Sequence, residues 1–443
     1  MKQDFLQRMQ EYLKDEYDAY IASLDREVYK GLSLNQAKCD IEFLSKHFPY
    51  SLEVSKFSRL GYTFDSSVKS IGNHWTHLAG LYYLQEPSAS SVVDMLDIQE
   101  GDWVLDLCAA PGGKSNQIAA QLKNTGFLVS NEIDHKRANI LLSNLERMGV
   151  TENMITSSSV DKLCPLMQGW FDKVLVDAPC SGEGMMKKHE LAKLEWSLEN
   201  VQACATRQLM ILDCAVQCVK EGGLLVYSTC TYAQEENEAV IYEFLQQHPE
   251  MELIDANDQI ERRGIPYKDL DVSKVRRIFP MDGGEGHFVC RMRKRENTGS
   301  TSKNELKSMK VDKEVSKFVQ SQLGYEDAYY LQVNQKIYMK KTPFIQLKNI
   351  TILRQGVLVG EMVKNRLEPE HHFYLASRFM HDFKNCVELS DEELPVYLSG
   401  NVISRNCKGY VCVKYQGIPL GFGKGDGTWV KNKYPKGLRI NIH

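Results

Sequence analysis

Short apolar runs, each followed by a loop and then an amphipathic stretch, recur through the middle of the chain. Val104–Leu107 is the first. It feeds the small loop Cys108–Gly113, after which Lys114 and Ser115 open a stretch with Ile118, Ala119 and Leu122 at helical spacing. Phe127–Asn131 predicts a second strand, ending at Glu132. Ala138, Leu141, Leu142, Leu145 and Met148 mark the inner face of a helix over 135–148, with Gly149 at its C-terminal cap. Met154–Thr156 predicts a third strand. Phe171–Val176 predicts a buried fourth that ends at Asp177, and Leu224–Ser228 a fifth that runs into Thr229-Cys230-Thr231. A long helix from Trp196 to Val219 separates the last two, and another follows from about Glu235 to Gln247. The segment 283–293, GGEGHFVCRMR, predicts a glycine turn and a closing strand. This alternation implies an α/β fold with a mainly parallel, doubly wound sheet.

The flanking regions pattern differently. Residues 1–75 predict a small helical cap. Phe5, Met9, Tyr12 and Leu13 share one helix face, and Leu34, Ile41, Phe43 and Leu44 suggest a second apolar layer. Glu86-Pro87 marks the end of an element. Lys294–Lys310 is polar, lacks aromatics and reads as a linker. The expected division is a cap or RNA-binding unit at 1–75, the α/β unit at 76–295, a linker at 296–310, an α+β unit at 311–390 and a final unit at 391–443. Val411–Tyr415 alternates as a strand should, and Gly421, Gly423, Gly425 and Gly427 predict tight turns.

Composition narrows the class. The 443 residues are 43% hydrophobic and 25% charged, ordinary for a soluble globular protein. No apolar run is long enough for a membrane span, and the polar N-terminus does not read as a signal peptide. The twelve cysteines include no C-x-x-C pair, which argues against a bound metal or a disulfide scaffold and fits the reducing cytoplasm. A net charge of −4 gives no whole-molecule attraction to nucleic acid, so such binding needs a local patch. The tail from Val396 offers one. Arg405, Lys408, Lys414, Lys424, Lys431, Lys433, Lys436 and Arg439 face a single acid, Asp426, with Tyr410, Phe422, Trp429 and Tyr434 among them. Bases interleaved with aromatics suit RNA; a basic barrel face that serves solubility fits the same residues.

The loop after the first strand raises the question of ligand. Gly113-Lys114-Ser115 imitates the end of a phosphate loop, but Cys108 stands where that motif needs glycine, and the three-glycine dinucleotide fingerprint is absent. Glu132, at the tip of strand two, suits a pair of ribose hydroxyls. A sugar-binding acid beside a loop without a phosphate signature points to a nucleoside such as S-adenosylmethionine. A plain turn with a surface glutamate is the competing reading.

Two neighbouring strand-tip loops each carry a cysteine: Cys180 after Asp177-Ala-Pro, and Cys230 after Ser-Thr. A thiolate is the natural nucleophile for a pyrimidine ring. Its addition to carbon 6 of cytosine makes carbon 5 enamine-like, able to accept a methyl group, and loss of the carbon 5 proton then releases the thiolate. An acid such as Asp177 eases the addition by protonating or hydrogen-bonding the ring nitrogen. Cys204, Cys214 and Cys218 fall on the long helix and read as core, and the remaining cysteines have no evident partner.

The stretches LCAAPGGK, DAPCSGEG and STCTYAQEENEAV, supported by YLQEPSA and GGEGHFV, resemble the RNA cytosine-5 methyltransferases. The end of the chain, GIPLGFGKGDGTWVKNKYPKGLR, is similar to the PUA-like tail of the bacterial 16S ribosomal RNA methyltransferase F group. The resemblance implies a Rossmann-like, S-adenosylmethionine-dependent core with a PUA-like RNA-binding barrel. It implies methylation of carbon 5 of cytidine in small-subunit ribosomal RNA by a cytoplasmic monomer. The same reaction on transfer RNA, or a non-catalytic ribosome-assembly role, are the alternatives. In the family's pattern Cys230 matches the nucleophile and Cys180 the cysteine that aids product release. Cys108, Ala109, Ala110, Pro111, Gly112, Gly113 and Lys114 match the cofactor loop and Glu132 the ribose acid. Asp177 matches an acid near both cofactor and base, with Lys114 close to the reacting centre. Two positions depart: Ser159 stands where an adenine-binding aspartate is usual, with Asp161 two places late, and Lys187 replaces a common arginine.

Overall fold

The apolar runs of the middle region pair into one nine-stranded sheet. Its strands are β1 (Trp103–Asp106), β2 (Phe127–Asn131), β3 (Asn153–Ser157), β4 (Phe171–Asp177), β5 (Val219–Thr229), β6 (Met251–Ile254), β7 (Arg276–Ile278), β8 (His287–Lys294) and β9 (Thr351–Gln355). The order is β6-β8-β5-β4-β1-β2-β3-β9, with β7 also paired to β8. Strands β5-β4-β1-β2-β3 are parallel, so their carboxyl ends share one edge. The computed structural model describes residues 2–440, apart from 28, 66, 68–70, 189–192, 195, 257–258, 297–298 and 326.

Alternation along each strand sorts its side chains to two faces. Leu105, Val129, Val174, Val176 and Leu225 enter one buried layer with Leu212 and Val216 of the helix Leu198–Cys218. Val104, Leu128, Leu175 and Val226 enter the other with Ile118 and Leu122 of the helix Gly113–Leu122. The helix His135–Met148 is capped at both ends, at its C-terminus by the predicted Gly149. Asp134 accepts from the Arg137 amide at 2.8 Å, and Gly149 closes the same helix in the left-handed region. The long helix ends on a buried cation, because Lys294 donates to the Val216 and Val219 carbonyls at 2.8 and 3.0 Å.

The outer regions correct several expectations. The N-terminal cap is helical over Gln3–Leu13 and Tyr17–Leu24 and then builds an antiparallel four-stranded sheet. Tyr82–Leu84 belongs to that sheet, paired with Lys30–Leu34, so the sheet reaches past residue 75. Glu86-Pro87 does end that strand, and Glu86 then caps the helix Pro87–Asp94. The stretch read as a linker is tied down. Its Thr301 carbonyl accepts from the Trp170 indole at 2.8 Å, and Glu305–Leu306 pairs with Phe344–Ile345. Strand β9, from the region after it, extends the catalytic sheet by pairing antiparallel with β3.

The tail folds into a five-stranded sheet that includes Lys408–Tyr415, Ile418–Asp426 and Trp429–Asn432. Gly421, Gly423 and Gly425 lie within Ile418–Asp426 and do not form turns; only Gly427 sits in the turn that follows. They are glycine because neighbours press on the backbone: a Cβ on Gly423 would meet Val430 Cγ1 at 2.2 Å, and one on Gly425 the Cys407 carbonyl at 2.4 Å. Two of the four tail aromatics are core. Phe422 stacks on Tyr374 at 4.7 Å and Tyr434 packs against Tyr397, leaving Trp429 the most exposed, at 48%. The tail also shares an apolar layer with the N-terminal sheet, where Trp75 meets Tyr415 edge-on at 5.0 Å. Among the described residues, no helix is long and apolar enough to cross a membrane.

Candidate active site

Three adjacent strands deliver the site. β1 ends in the Cys108–Gly113 loop, β4 in Asp177, and β5 in Thr229-Cys230. The loops that follow β4 and β5 meet over the sheet edge and bring Cys180 Sγ to 3.3 Å from Cys230 Sγ. The hydrogen bond to Cys230, burial and the nearby Glu236 together push the Cys180 thiol up. Either sulfur can be the donor of the pair, and the same surroundings favour the protonated form of Cys180. Cys108, in the glycine loop, is also pushed well up, by burial and by Asp106 and Asp177.

Beside the thiols, Lys114 Nζ lies 2.6 Å from Asp177 Oδ2. Ser228 donates to Asp177 Oδ1 at 2.6 Å, and His287 Nε2 stands 3.8 Å from the same oxygen. Burial alone would raise the Asp177 carboxyl, but Lys114 and His287 outweigh it and hold it well below the usual carboxylate range. In this arrangement Asp177 accepts hydrogen bonds from Lys114 and Ser228, and its surroundings favour the ionised form. Lys114, whose own burial is outweighed by Asp177, stays protonated and is the donor in reach. His287 comes from the GGEGHFV stretch, but its sequence gives no sign of contact with Asp177.

A cleft of about 230 Å³ opens next to this pair, lined by Tyr83, Gln85, Asp106, Cys108–Pro111, Gly113, Lys114 and Asp177, among others. It suits a nucleoside carrying an ammonium group. Gln85 Oε1 and Asp106 Oδ1 are buried acceptors without a partner among the described residues. Burial pushes the Asp106 carboxyl up to about 7, while its other oxygen accepts from Ser115 at 2.6 Å. Neither residue stood out in the sequence, because each reads as an ordinary strand-end polar group. Glu132 is buried at the tip of β2, 3.1 Å from Arg137, which also donates to the Ala110 carbonyl. Gly112 caps the helix that follows the loop. Ser159 is the N-cap residue of the short helix Val160–Leu163, and its side chain bonds the neighbouring Asp161 carboxylate. Lys187 donates to the Ser23 and Glu27 carbonyls at 3.4 Å, which ties the Cys180 loop to the N-terminal helices. Among the described residues, no group of three or more His, Cys, Asp or Glu is placed to hold a metal.

The family model for "16S rRNA methyltransferase RsmB/F" matches residues 93–293. Those for the N-terminal, first C-terminal and PUA domains of RsmF match residues 1–87, 316–376 and 384–440. Ribosomal RNA small subunit methyltransferase F of Vibrio vulnificus is 30% identical over 95% of this chain and 92% of its own. The protein of that name from Vibrio campbellii is 31% identical over 98% and 96%. A methyltransferase homologue of Pyrococcus horikoshii has a TM-score of 0.59 and 26% identity, covering 66% of this chain and 95% of that one. NSun6 from the same organism shares the fold at a TM-score of 0.60 and 21% identity, covering 67% and 98%. With its Rossmann-like, S-adenosylmethionine-dependent core and PUA-like tail, the chain belongs to the ribosomal RNA small subunit methyltransferase F family.

Proposed function

We propose that this ribosomal RNA methyltransferase modifies carbon 5 of a cytidine in 16S ribosomal RNA through a covalent cysteine–pyrimidine adduct. The observation that carries the reading is the pair of thiols 3.3 Å apart beside the Lys114–Asp177 ion pair. Cys230 attacks carbon 6 of the base, and its thiolate is supported by the hydrogen bond that Cys180 donates. Lys114 donates to the base's acceptor atoms and disperses the charge that builds on the ring during the addition. Asp177, kept ionised, accepts from the exocyclic amine that distinguishes cytosine from uracil. Residues 108–114, with Asp106, Gln85 and Glu132, hold S-adenosylmethionine, which supplies the methyl group when bound. After transfer, a solvent base takes the carbon 5 proton, the C–H electron pair re-forms the 5,6 double bond and expels Cys230 as the thiolate, and Cys180 assists by hydrogen-bonding the departing sulfur. The exposed lysines of the tail and Trp429 take RNA phosphates and a base outside the site.

The test maps 5-methylcytosine at single-nucleotide resolution in ribosomal and transfer RNA from cells with and without the protein. A 16S cytidine that loses its mark, and regains it on complementation, supports the reading. An unchanged 16S map with a lost transfer-RNA mark transfers the activity to that substrate, and no change in either removes the proposal.

A further inference from the structure

The two cysteine loops exchange carboxylates. Glu236, from the loop after β5, accepts from the Ser181 amide of the Cys180 loop at 2.9 Å and also bonds the Ser181 hydroxyl. Glu183, from the Cys180 loop, accepts from the Tyr232 amide of the Cys230 loop at 2.9 Å. Each amide lies one or two residues from its cysteine. Further bonds fix each acid in turn. Gln208 donates to Glu236 at 2.8 Å and to the Pro179 carbonyl at 3.1 Å, and the Trp196 indole donates to Glu183 at 2.8 Å. Between the two acids the loops touch directly. Gly184 donates to the Cys230 carbonyl at 2.9 Å, and the hydroxyls of Ser181 and Thr231 lie 2.9 Å apart. A Cβ on Gly184 would stand 2.9 Å from that carbonyl, so only glycine permits the approach.

Both acids are almost fully buried, at 3% and 0% exposure. Burying a carboxyl is costly unless its oxygens are satisfied, and apolar packing would close two loops at lower cost. What apolar packing cannot do is satisfy loop amides that have no strand partner. Crossed carboxyls do so reciprocally, and they forbid either loop from shifting without breaking a bond in the other.

We propose that Glu183 and Glu236 are positioning residues which set the separation of Cys180 and Cys230, each holding the backbone beside the opposite thiol. This rests on the proposed reaction for its purpose. The spacing itself is measurable without RNA or cofactor.

The experiment uses the full chain. Diamide oxidises two nearby thiols to a disulfide and is itself reduced to the hydrazine, taking up both protons and both electrons. The rate at which the Cys180–Cys230 peptide pair appears in mass spectra therefore reports the spacing. Wild type should cross-link fastest. Glu236→Ala and Glu183→Ala should slow this pair at least tenfold, Glu236→Gln should recover part of the rate, and labelling of exposed Cys386 should not change. If an alanine variant fails to fold, Ser181→Ala removes the hydroxyl arm in a folded chain and should slow the pair less. Cross-linking at the wild-type rate in folded Glu236→Ala and Glu183→Ala, or in Ser181→Ala and Glu236→Gln together, overturns the proposal. The single-turnover arm separates the two ideas. Slower release of the RNA adduct in Glu236→Gln at unchanged KM supports the positioning role. A wild-type chain that forms no adduct refutes the adduct chemistry and leaves the cross-linking result to stand alone.

Discussion

The paired cysteine loops and the basic tail both display polar groups, yet they are built in opposite ways. In the loops the Ser181 and Tyr232 amides beside the thiols are each bonded to a buried carboxyl. On the tail, Lys408, Lys424, Lys431, Lys433 and Lys436 stand exposed, and Lys424 and Lys431 lie side by side across two strands. The loops must hold one geometry to within a fraction of an ångström, so each residue counts heavily and effects do not add. In the proposed function the tail attracts RNA by summed charge, so each residue would count little and effects would add.

That contrast breaks first if Cys230 is not essential. Cys230→Ala should reduce methyl transfer to background while equilibrium cofactor binding survives; turnover near the wild-type rate overturns the assignment. Next, Cys180→Ala should permit the first transfer and then stall as a protein–RNA adduct, visible as a shifted band on a denaturing gel. Multiple turnover without that band removes the release role. On the tail the expected effects are smaller. Trp429→Ala should weaken RNA binding by about 1–3 kcal/mol if its ring stacks on a base. Lys424→Ala with Lys431→Ala should lower the slope of log K against log salt by roughly 0.9 per lost phosphate contact, at unchanged kcat. Filter binding at several salt concentrations reads both.

The last effect is on stability. Burial pushes the Glu236 carboxyl up to about 7 from its usual 4.5, despite the donors that Ser181 and Gln208 supply. Glu183 and the Cys180 thiol face it across the loops. Between those two pH values the folded chain holds a proton that the unfolded chain has lost. Stability should therefore fall as pH rises through this window. Asp106, also pushed up to about 7, contributes in the same direction. Urea midpoints measured from pH 4.5 to 8 should show the decline, and Glu236→Gln should flatten it. An identical slope in that variant assigns the decline elsewhere.

The chemistry was more legible in the sequence than its supports. A thiol at a strand tip or a glycine loop after an apolar run announces itself locally, and Cys180, Cys230, Lys114 and Asp177 do come together. The protonation of Asp177 was not legible, because it depends on Lys114, 63 positions away, and on His287. Glu183 and Glu236 drew no expectation from the sequence, since nothing nearby in it reveals the amides they bond. The tail glycines read as turns for a similar reason. What demands glycine there is pressure from Val430 and Cys407, which local patterning does not register. Phe422 and Tyr434 look like their exposed neighbour Trp429 until the core claims them.

Strand β9 has a practical consequence. It is contributed by residues more than fifty positions beyond the last catalytic strand, and it occupies the free side of β3. A fragment ending near residue 295 would strip that cover and leave a row of unsatisfied amides and carbonyls open to any passing chain. Such a truncation invites self-association before its chemistry can be assayed, so the minimal working enzyme has to carry its C-terminal neighbour with it.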